Sequence, residues 1–417
     1  MGKDCPAVMN RQTKALVLGI SLILVLFIVL GGLGVSAASS DDGAYRQIGV
    51  YSEVLSKIRT DYVEDPNFDA VKSGALHGLL ESLDPESSYM SPQEFAEYKS
   101  HKANASGNIG VTVSKRFGYA AVVSVLPGSP ADKADINPGD IIEALEGKTT
   151  RDLSVAEVRS MLMGEPGSSI SMALVKPRKA DPQKLTVQRA NLTPPPAEQK
   201  MLDGNVAYIH PFTFSAGKTQ EIANAIKTLQ KQGATKILLD LRNNGQGEPE
   251  EGVSTANLFL NRGVISILKG QKYPTKEYTA DPAKAITTSP LVVLVNSGTA
   301  GPAEIVAAAI LENARGDVVG GKTFGVGSVQ QTLPMQDGAA LLLSVAKFYT
   351  PGGKAIQDTA ITPNILVNGD DDIAALDDDS TPEGAETPGN ERPQKPKQDL
   401  QLQRALDVLK NRKAAAA

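Results

Sequence analysis

The chain has 417 residues with 42 basic and 47 acidic side chains, a net charge of −5 and 41% hydrophobic content. That length suits two or three domains with sizeable cores, and the charge balance leaves no footprint for nucleic acid. One cysteine, Cys5, excludes an intramolecular disulfide, and the three histidines, His77, His101 and His210, lack metal-ligand spacing, so neither metal nor cofactor is expected.

Residues 1–14 are a basic segment carrying Lys3, Arg11 and Lys14, and residues 15–35 are almost wholly apolar. Positive charge before an apolar stretch predicts a cytoplasmic N-terminus and an exported remainder. The length favours a retained single-pass membrane anchor over 15–37, with the bulk of the chain on the periplasmic side. Val35-Ser-Ala37 also fits a cleavage site, which would give a secreted chain. Cys5 precedes the apolar stretch, so it is not a lipoprotein cysteine.

Residues 44–104 read as a helical region, with apolar residues at helical spacing from Tyr45 to Ile58 and again from Asp69 to Leu80. Ser91, Pro92 and Glu94 form a helix start of the capping-box type. Residues 105–192 change character. Strands are predicted over 120–125 and 169–175, a turn followed by a strand over 137–145, and a capped amphipathic helix over 154–162. Pro194-Pro-Pro196 marks a boundary. From 193 to 367 strands alternate with helices, at 206–210, 216–232, 236–241, 252–260, 291–295 and 303–312. That alternation predicts an α/β core with a buried sheet. Residues 368–398 are acidic and proline-rich and read as a disordered linker. Residues 399–413 close the chain with an amphipathic helix.

Asn108-Ile-Gly-Val-Thr-Val113, Gly128-Ser-Pro-Ala131, Asn137-Pro-Gly-Asp-Ile-Ile142 and the 154–162 helix together resemble a PDZ domain. PDZ domains add an extended peptide to a sheet edge and capture its terminal carboxylate with backbone amides. The resemblance implies peptide binding by Ile109, Gly110 and Val111, with specificity from the helix over 154–163.

Five further segments are similar to the carboxy-terminal processing peptidases, also called tail-specific proteases. They are Gly78-Leu-Leu-Glu-Ser-Leu-Asp-Pro-Glu-Ser-Ser-Tyr-Met90, Asp240-Leu-Arg-Asn-Asn-Gly-Gln-Gly247, the Val295 to Glu304 stretch, the Thr323 to Gln331 stretch, and 341–367. The resemblance implies an α/β peptidase core of the crotonase-like type, with an inserted PDZ domain and a helical N-terminal region. It also implies a serine nucleophile and a lysine base, but this chain has Gly301 in the nucleophile slot and Val326 in the base slot. Gln330, which would orient the lysine, is retained. The oxyanion loop maps to Gly245, Gln246 and Gly247, with Gln246 in place of a glycine, and Pro302 lacks the amide that would complete the hole.

Loss of a nucleophile or base typically costs on the order of a million-fold in turnover. Replacement groups lie nearby: Thr299, Ser297 or Ser328 as nucleophile and Lys322 as base. Thr299 and Ser297 also suit plain turn or cap residues. Three functions stay open. The chain could bind unfolded or apolar C-terminal tails without cutting them, alongside an active relative or further copies of itself. It could be an active serine peptidase with a shifted nucleophile. It could be a scaffold with no peptide ligand.

Overall fold

The computed structural model describes residues 21, 42–104, 106–177, 181–368 and 399–411. The expected membrane anchor, residue 21 apart, and the acidic linker from 369 onward lie outside the described residues. Among the described residues no helix is long and apolar enough to cross a membrane. The chain divides into two compact units, 1–72 and 73–417.

The first unit contributes helix α1 (Asp42–Asp61) and the opening turn of α2 (Phe68–Glu81). Asn67 caps α2, its Oδ1 accepting the Ala70 amide at 3.1 Å. Within the second unit, Leu76 and Leu80 of α2 pack against Tyr89, Ala339 and Leu341. The helical reading of 44–104 is interrupted by strand β1 (Ser88–Met90) before α3 (Pro92–Asn104). β1 forms because it pairs with the distant β16 (Ala340–Tyr349), which local periodicity does not report. The start of α3 is a true capping box. The Ser91 amide donates to Glu94 Oε2 at 2.7 Å, and the Glu94 amide donates to Ser91 Oγ at 3.3 Å.

A sheet with strand order β2-β3-β4-β6-β7 follows, formed by Val111–Arg116, Tyr119–Val125, Ile141–Leu145, Ser169–Val175 and Gln183–Gln188. The short α4 (Pro130–Lys133), β5 (Lys148–Thr149), which pairs β4, and α5 (Val155–Leu162) complete this domain. Alternate residues Ile170, Met172 and Leu174 of β6 point into its core, with Val158 and Leu162 of α5. Ser154 caps α5 reciprocally with Glu157. Chain entry and exit lie side by side, since Asn108 bridges Ala190. β2 is an edge strand.

The large core is a six-stranded sheet of order β17-β14-β13-β10-β9-β8. Its strands are Ile365–Leu366, Asp317–Gly320, Leu291–Val295, Lys236–Asp240, Val206–His210 and Glu198–Leu202. All pairings are parallel except that of β8 with β9. The central β13 reads Leu-Val-Val-Leu-Val and every residue is buried, as a parallel strand covered on both faces requires. Ile237, Leu239, Leu291 and Val293 face α6 (Lys218–Lys231), α7 (Pro249–Asn257) and α8 (Pro302–Glu312). Leu238, Val292 and Leu294 face the opposite way, against Ala405 and Leu409 of α9 (Leu400–Asn411). Each such buried aliphatic side chain contributes about 1.5–3 kcal/mol. A second sheet joins β1, β16, β11 (Val264–Lys269) and β12 (Lys276–Thr279), with β15 (Ser328–Pro334) paired to β16.

Candidate active site

β10, β13 and β14 are neighbours and parallel, so the loops leaving their C-terminal ends converge on one edge of the sheet. Those loops are 241–248, 296–301 and 321–327, which are the segments singled out by the motif reading.

The first loop is anchored by an ion pair. Arg242 donates from Nη2 to Asp240 Oδ2 at 2.6 Å and from Nε to both carboxylate oxygens. Asp240 is completely buried. Burial pushes its carboxyl up, but the Arg242 guanidinium and amide overcome this and hold it below the usual carboxylate range. Arg242 also reaches Asp399 at 2.9 Å, tying the loop to the start of α9. Farther along, Gln246 O accepts the Phe214 amide at 2.7 Å. Gly247 has φ +130, and a Cβ there would lie 2.3 Å from the Phe214 carbonyl carbon, so only glycine fits.

The second loop is sewn to the first. Asn243 N donates to Asn296 Oδ1 at 2.9 Å, and Asn296 Nδ2 donates to Asn243 Oδ1 at 2.8 Å. The Ala300 amide donates to Asn244 O. Thr299 is fully buried; its hydroxyl donates to Leu241 O at 2.8 Å and accepts the Asn296 amide at 3.0 Å. It is therefore a turn residue with a committed hydroxyl. Gly301 precedes α8 with φ +59 and ψ −118, and Pro302 occupies the first helical position.

Glu304 joins the second loop to the third. Its Oε2 accepts the amides of Gly301 and Val326, each at 2.9 Å, and its Oε1 accepts the Gly325 amide at 2.8 Å and the Thr323 hydroxyl. The carboxyl is entirely buried, and desolvation raises it to about 7 against the pull of these hydrogen bonds. In the sequence Glu304 closes the Val295 to Glu304 stretch, with no role marked by the motif itself. Its position three residues after the helix cap was the available signal.

Gln330 lies on β15, where its Nε2 donates to Ser328 Oγ at 2.7 Å and to Ser344 Oγ at 3.4 Å. Ser344 in turn donates to Asp84 Oδ1 at 3.0 Å, which gives the Leu83 to Tyr89 segment its fixed place beside the site. Ser297 and the exposed Lys322 line one cavity of about 600 Å3, together with Ser114, Lys115 and Arg116 of β2. The PDZ-like sheet borders the first loop, since Thr112 Oγ1 donates to Gly245 O at 3.4 Å. Ile109, Gly110 and Val111 lead into β2, and the Gly110 amide is held by Asn108 Oδ1 at 2.9 Å. Among the described residues no cluster of His, Cys, Asp or Glu could hold a metal ion.

Residues 205–367 match the model of peptidase family S41, and residues 122–176 match that of the PDZ domain. The chain is 32% identical over 422 residues to a carboxyl-terminal-processing protease of Picosynechococcus, covering 95% of this chain and 96% of that protein. The chain belongs to the carboxy-terminal processing protease family. Another relative, the carboxy-terminal processing protease CtpA of Bacillus subtilis, is 31% identical over 86% of this chain and 77% of its own length. Among solved structures, the photosystem II D1 C-terminal processing protease superposes with a TM-score of 0.63 at 27% identity, covering 76% of this chain and 86% of that one. This S41 chain therefore has the fold expected from its motifs: a peptidase core, a PDZ domain and N-terminal helices.

Proposed function

We propose that this S41-family chain binds the C-terminal tails of exported proteins through its PDZ domain and does not cleave them. The observation that carries the reading is Gly301. It sits on the shared Glu304 carboxylate with Val326, at the start of α8, and neither residue has a side chain able to attack a carbonyl or take a proton. Pro302 offers no amide to an oxyanion. The relatives' names describe C-terminal processing, and this chain's PDZ domain supports a tail as ligand. The apolar 15–35 stretch and its basic flank support a membrane-tethered, exported chain, which would place it among unfolded tails of other exported proteins.

One observation favours a second reading, an active peptidase with a shifted site: Ser297 and Lys322 border the same cavity. Thr299 does not serve that reading, because its hydroxyl is buried and bonded on both sides.

The experiment is incubation of the full chain with unstructured peptides bearing apolar C-termini, with binding and cleavage followed in the same samples. Binding without cleavage is the expected result. Cleavage abolished by Ser297→Ala or Lys322→Ala would establish the second reading.

A further inference from the structure

We infer that Arg159 is the carboxylate receptor of the PDZ groove, and that Glu86 occupies it until a tail brings a carboxylate of its own. This deepens the tail-binding reading above and rests on it.

By the PDZ resemblance the peptide lies between the edge strand β2 and helix α5. A peptide added to β2 needs that strand's outward main-chain groups as partners. One of them, Val113 O, already accepts Arg159 Nη2 at 2.9 Å. The same guanidinium makes a two-pronged contact with Glu86, Nη1 to Oε2 at 2.6 Å and Nη2 to Oε1 at 2.9 Å. Arg159 thus sits where the added strand must bond, and it is already paired with a carboxylate in the geometry guanidinium favours.

Accessibility differs across the pair. The Arg159 side chain is 39% exposed, whereas Glu86 is 4% exposed. The guanidinium can therefore be reached from solvent, while Glu86 approaches from the protein side. Space for a group reaching past the strand exists on the far side of the pair: Glu86 and Arg159 border a cavity of about 320 Å3 walled by Tyr98 of α3, Ala156 of α5, Thr332 of β15 and Leu342 of β16. The amide loop is less open. The Gly110 N–H is bonded to Asn108 Oδ1 at 2.9 Å. One of the three amides expected to take a terminal carboxylate is committed, and a charged receptor stands farther along the same edge.

Entry of a strand along β2 displaces Arg159 from Val113 O. The freed guanidinium is best satisfied by a second carboxylate, and Glu86 and the ligand then compete for it. The ligand group is a peptide carboxylate, either the chain terminus or an acidic side chain just upstream.

Calorimetry on the full chain with short unstructured peptides ending in an apolar residue tests this. One arm compares free-acid with amidated C-termini, and the other compares glutamate with glutamine upstream. Whichever arm carries the recognised group, its charged peptide should bind wild type about tenfold or more tightly than its neutral counterpart. Arg159→Gln should erase that preference, and Arg159→Lys should retain part of it. Glu86→Gln should tighten the charged peptide about tenfold and leave the neutral one unchanged, because the internal competitor is gone. If Arg159→Gln fails to fold, the Lys and Glu86 variants carry the comparison. A preference that survives Arg159→Gln, or Glu86→Gln weakening the charged peptide, overturns the inference while tail binding stands. Equal affinity of wild type for charged and neutral peptides in both arms does the same. No binding of any peptide by any variant overturns the tail-binding reading as well.

Discussion

Glu304 Oε2 accepts the Val326 amide at 2.9 Å, and the same oxygen accepts the Gly301 amide. One buried carboxylate therefore fixes the spacing of the two loops on which catalysis in a serine–lysine site would depend. Neither Gly301 nor Val326 brings a side chain able to attack a carbonyl or take a proton, and the non-cleaving proposal rests on that.

Stability should carry a trace of this carboxylate. Its ordinary value is 4.5 and burial raises it to about 7. A raised folded-state value means the stability it contributes is fully present below the unfolded value and is lost as pH rises through about 7. The full span corresponds to about 3 kcal/mol. Asp240, held below its ordinary 3.8, titrates under this window and does not oppose it. Denaturant unfolding of wild type and Glu304→Gln, at about pH 5 and about pH 8, should show the acid-side gain only in wild type. The variant should be destabilised at both, and by more at about pH 5, where the acid-side gain of wild type is missing; at about pH 8 its amide nitrogen faces donors that had a carboxylate, a cost of about 1–3 kcal/mol. An unchanged pH dependence in the variant would assign the slope to other groups.

Arg242 should matter for stability more than surface ion pairs do. Its partner Asp240 is fully buried, and Arg242→Ala leaves that carboxylate with the Tyr208 hydroxyl at 3.0 Å and the residue 242 amide at 3.1 Å but no cation. Breaking a buried pair from one side costs about 3–5 kcal/mol. The variant should also free the start of α9 from its Asp399 contact, which hydrogen exchange of residues 400–411 would report as lost protection. Adding Asp240→Asn to Arg242→Ala should recover part of the loss, since the buried charge goes with its partner.

Much of this was legible in the sequence, for physical reasons that differ by element. β13 announced itself as a continuous apolar run, and Ser91 and Ser154 marked helix starts through chemistry confined to four residues. The three loops were legible only through their resemblance to the peptidase motifs; Gly247, at φ +130, is one position there whose residue type the backbone itself dictates. β8, Glu-Gln-Lys-Met-Leu, is mostly exposed and has no inward face to read; it is a strand because Lys200 pairs with Tyr208 of β9. α7 begins at Pro249, before the expected 252, because proline is pre-set for the first helical turn. Gly217, at φ +87, delays α6 to Lys218 from the expected 216. The Arg159–Glu86 pair spans 73 positions, and no local pattern signals it.

Thr299 supports the fold and should not support catalysis. Thr299→Val keeps the shape and removes a hydroxyl bonded to Leu241 O and to the Asn296 amide. The loss should be about 1–3 kcal/mol, the cost of leaving buried backbone groups without a partner. Any peptide cleavage by the folded variant should equal that of wild type. Cleavage present in wild type and absent from a stably folded Thr299→Val protein would return Thr299 to candidacy as a nucleophile.

Restoring chemistry should require several changes at once. A Cβ on Gly301 meets no atom within 4 Å, so Gly301→Ser fits the space. The backbone there is at φ +59, a region L side chains rarely adopt, and the serine carries about 1–3 kcal/mol of strain. Without a base its hydroxyl stays protonated. Val326→Lys supplies a side-chain amine at a residue whose backbone N–H already donates to Glu304, with Gln330 on the adjoining β15. Pro302→Ala then restores an N–H at the first helical position, where an oxyanion donor is worth about a hundred- to a thousand-fold. Measurable hydrolysis of a tail peptide is expected from the triple variant, with the single variants at background. Should the folded triple variant bind tails and still not cut them, the block would lie in the 245–247 loop. Gln246→Gly is the next replacement there, because the Gln246 carbonyl is held by the Phe214 amide and fixes that loop's course. Cleavage by wild type that persists through Ser297→Ala, Lys322→Ala and Thr299→Val would sink the non-cleaving reading and require a site elsewhere in the chain.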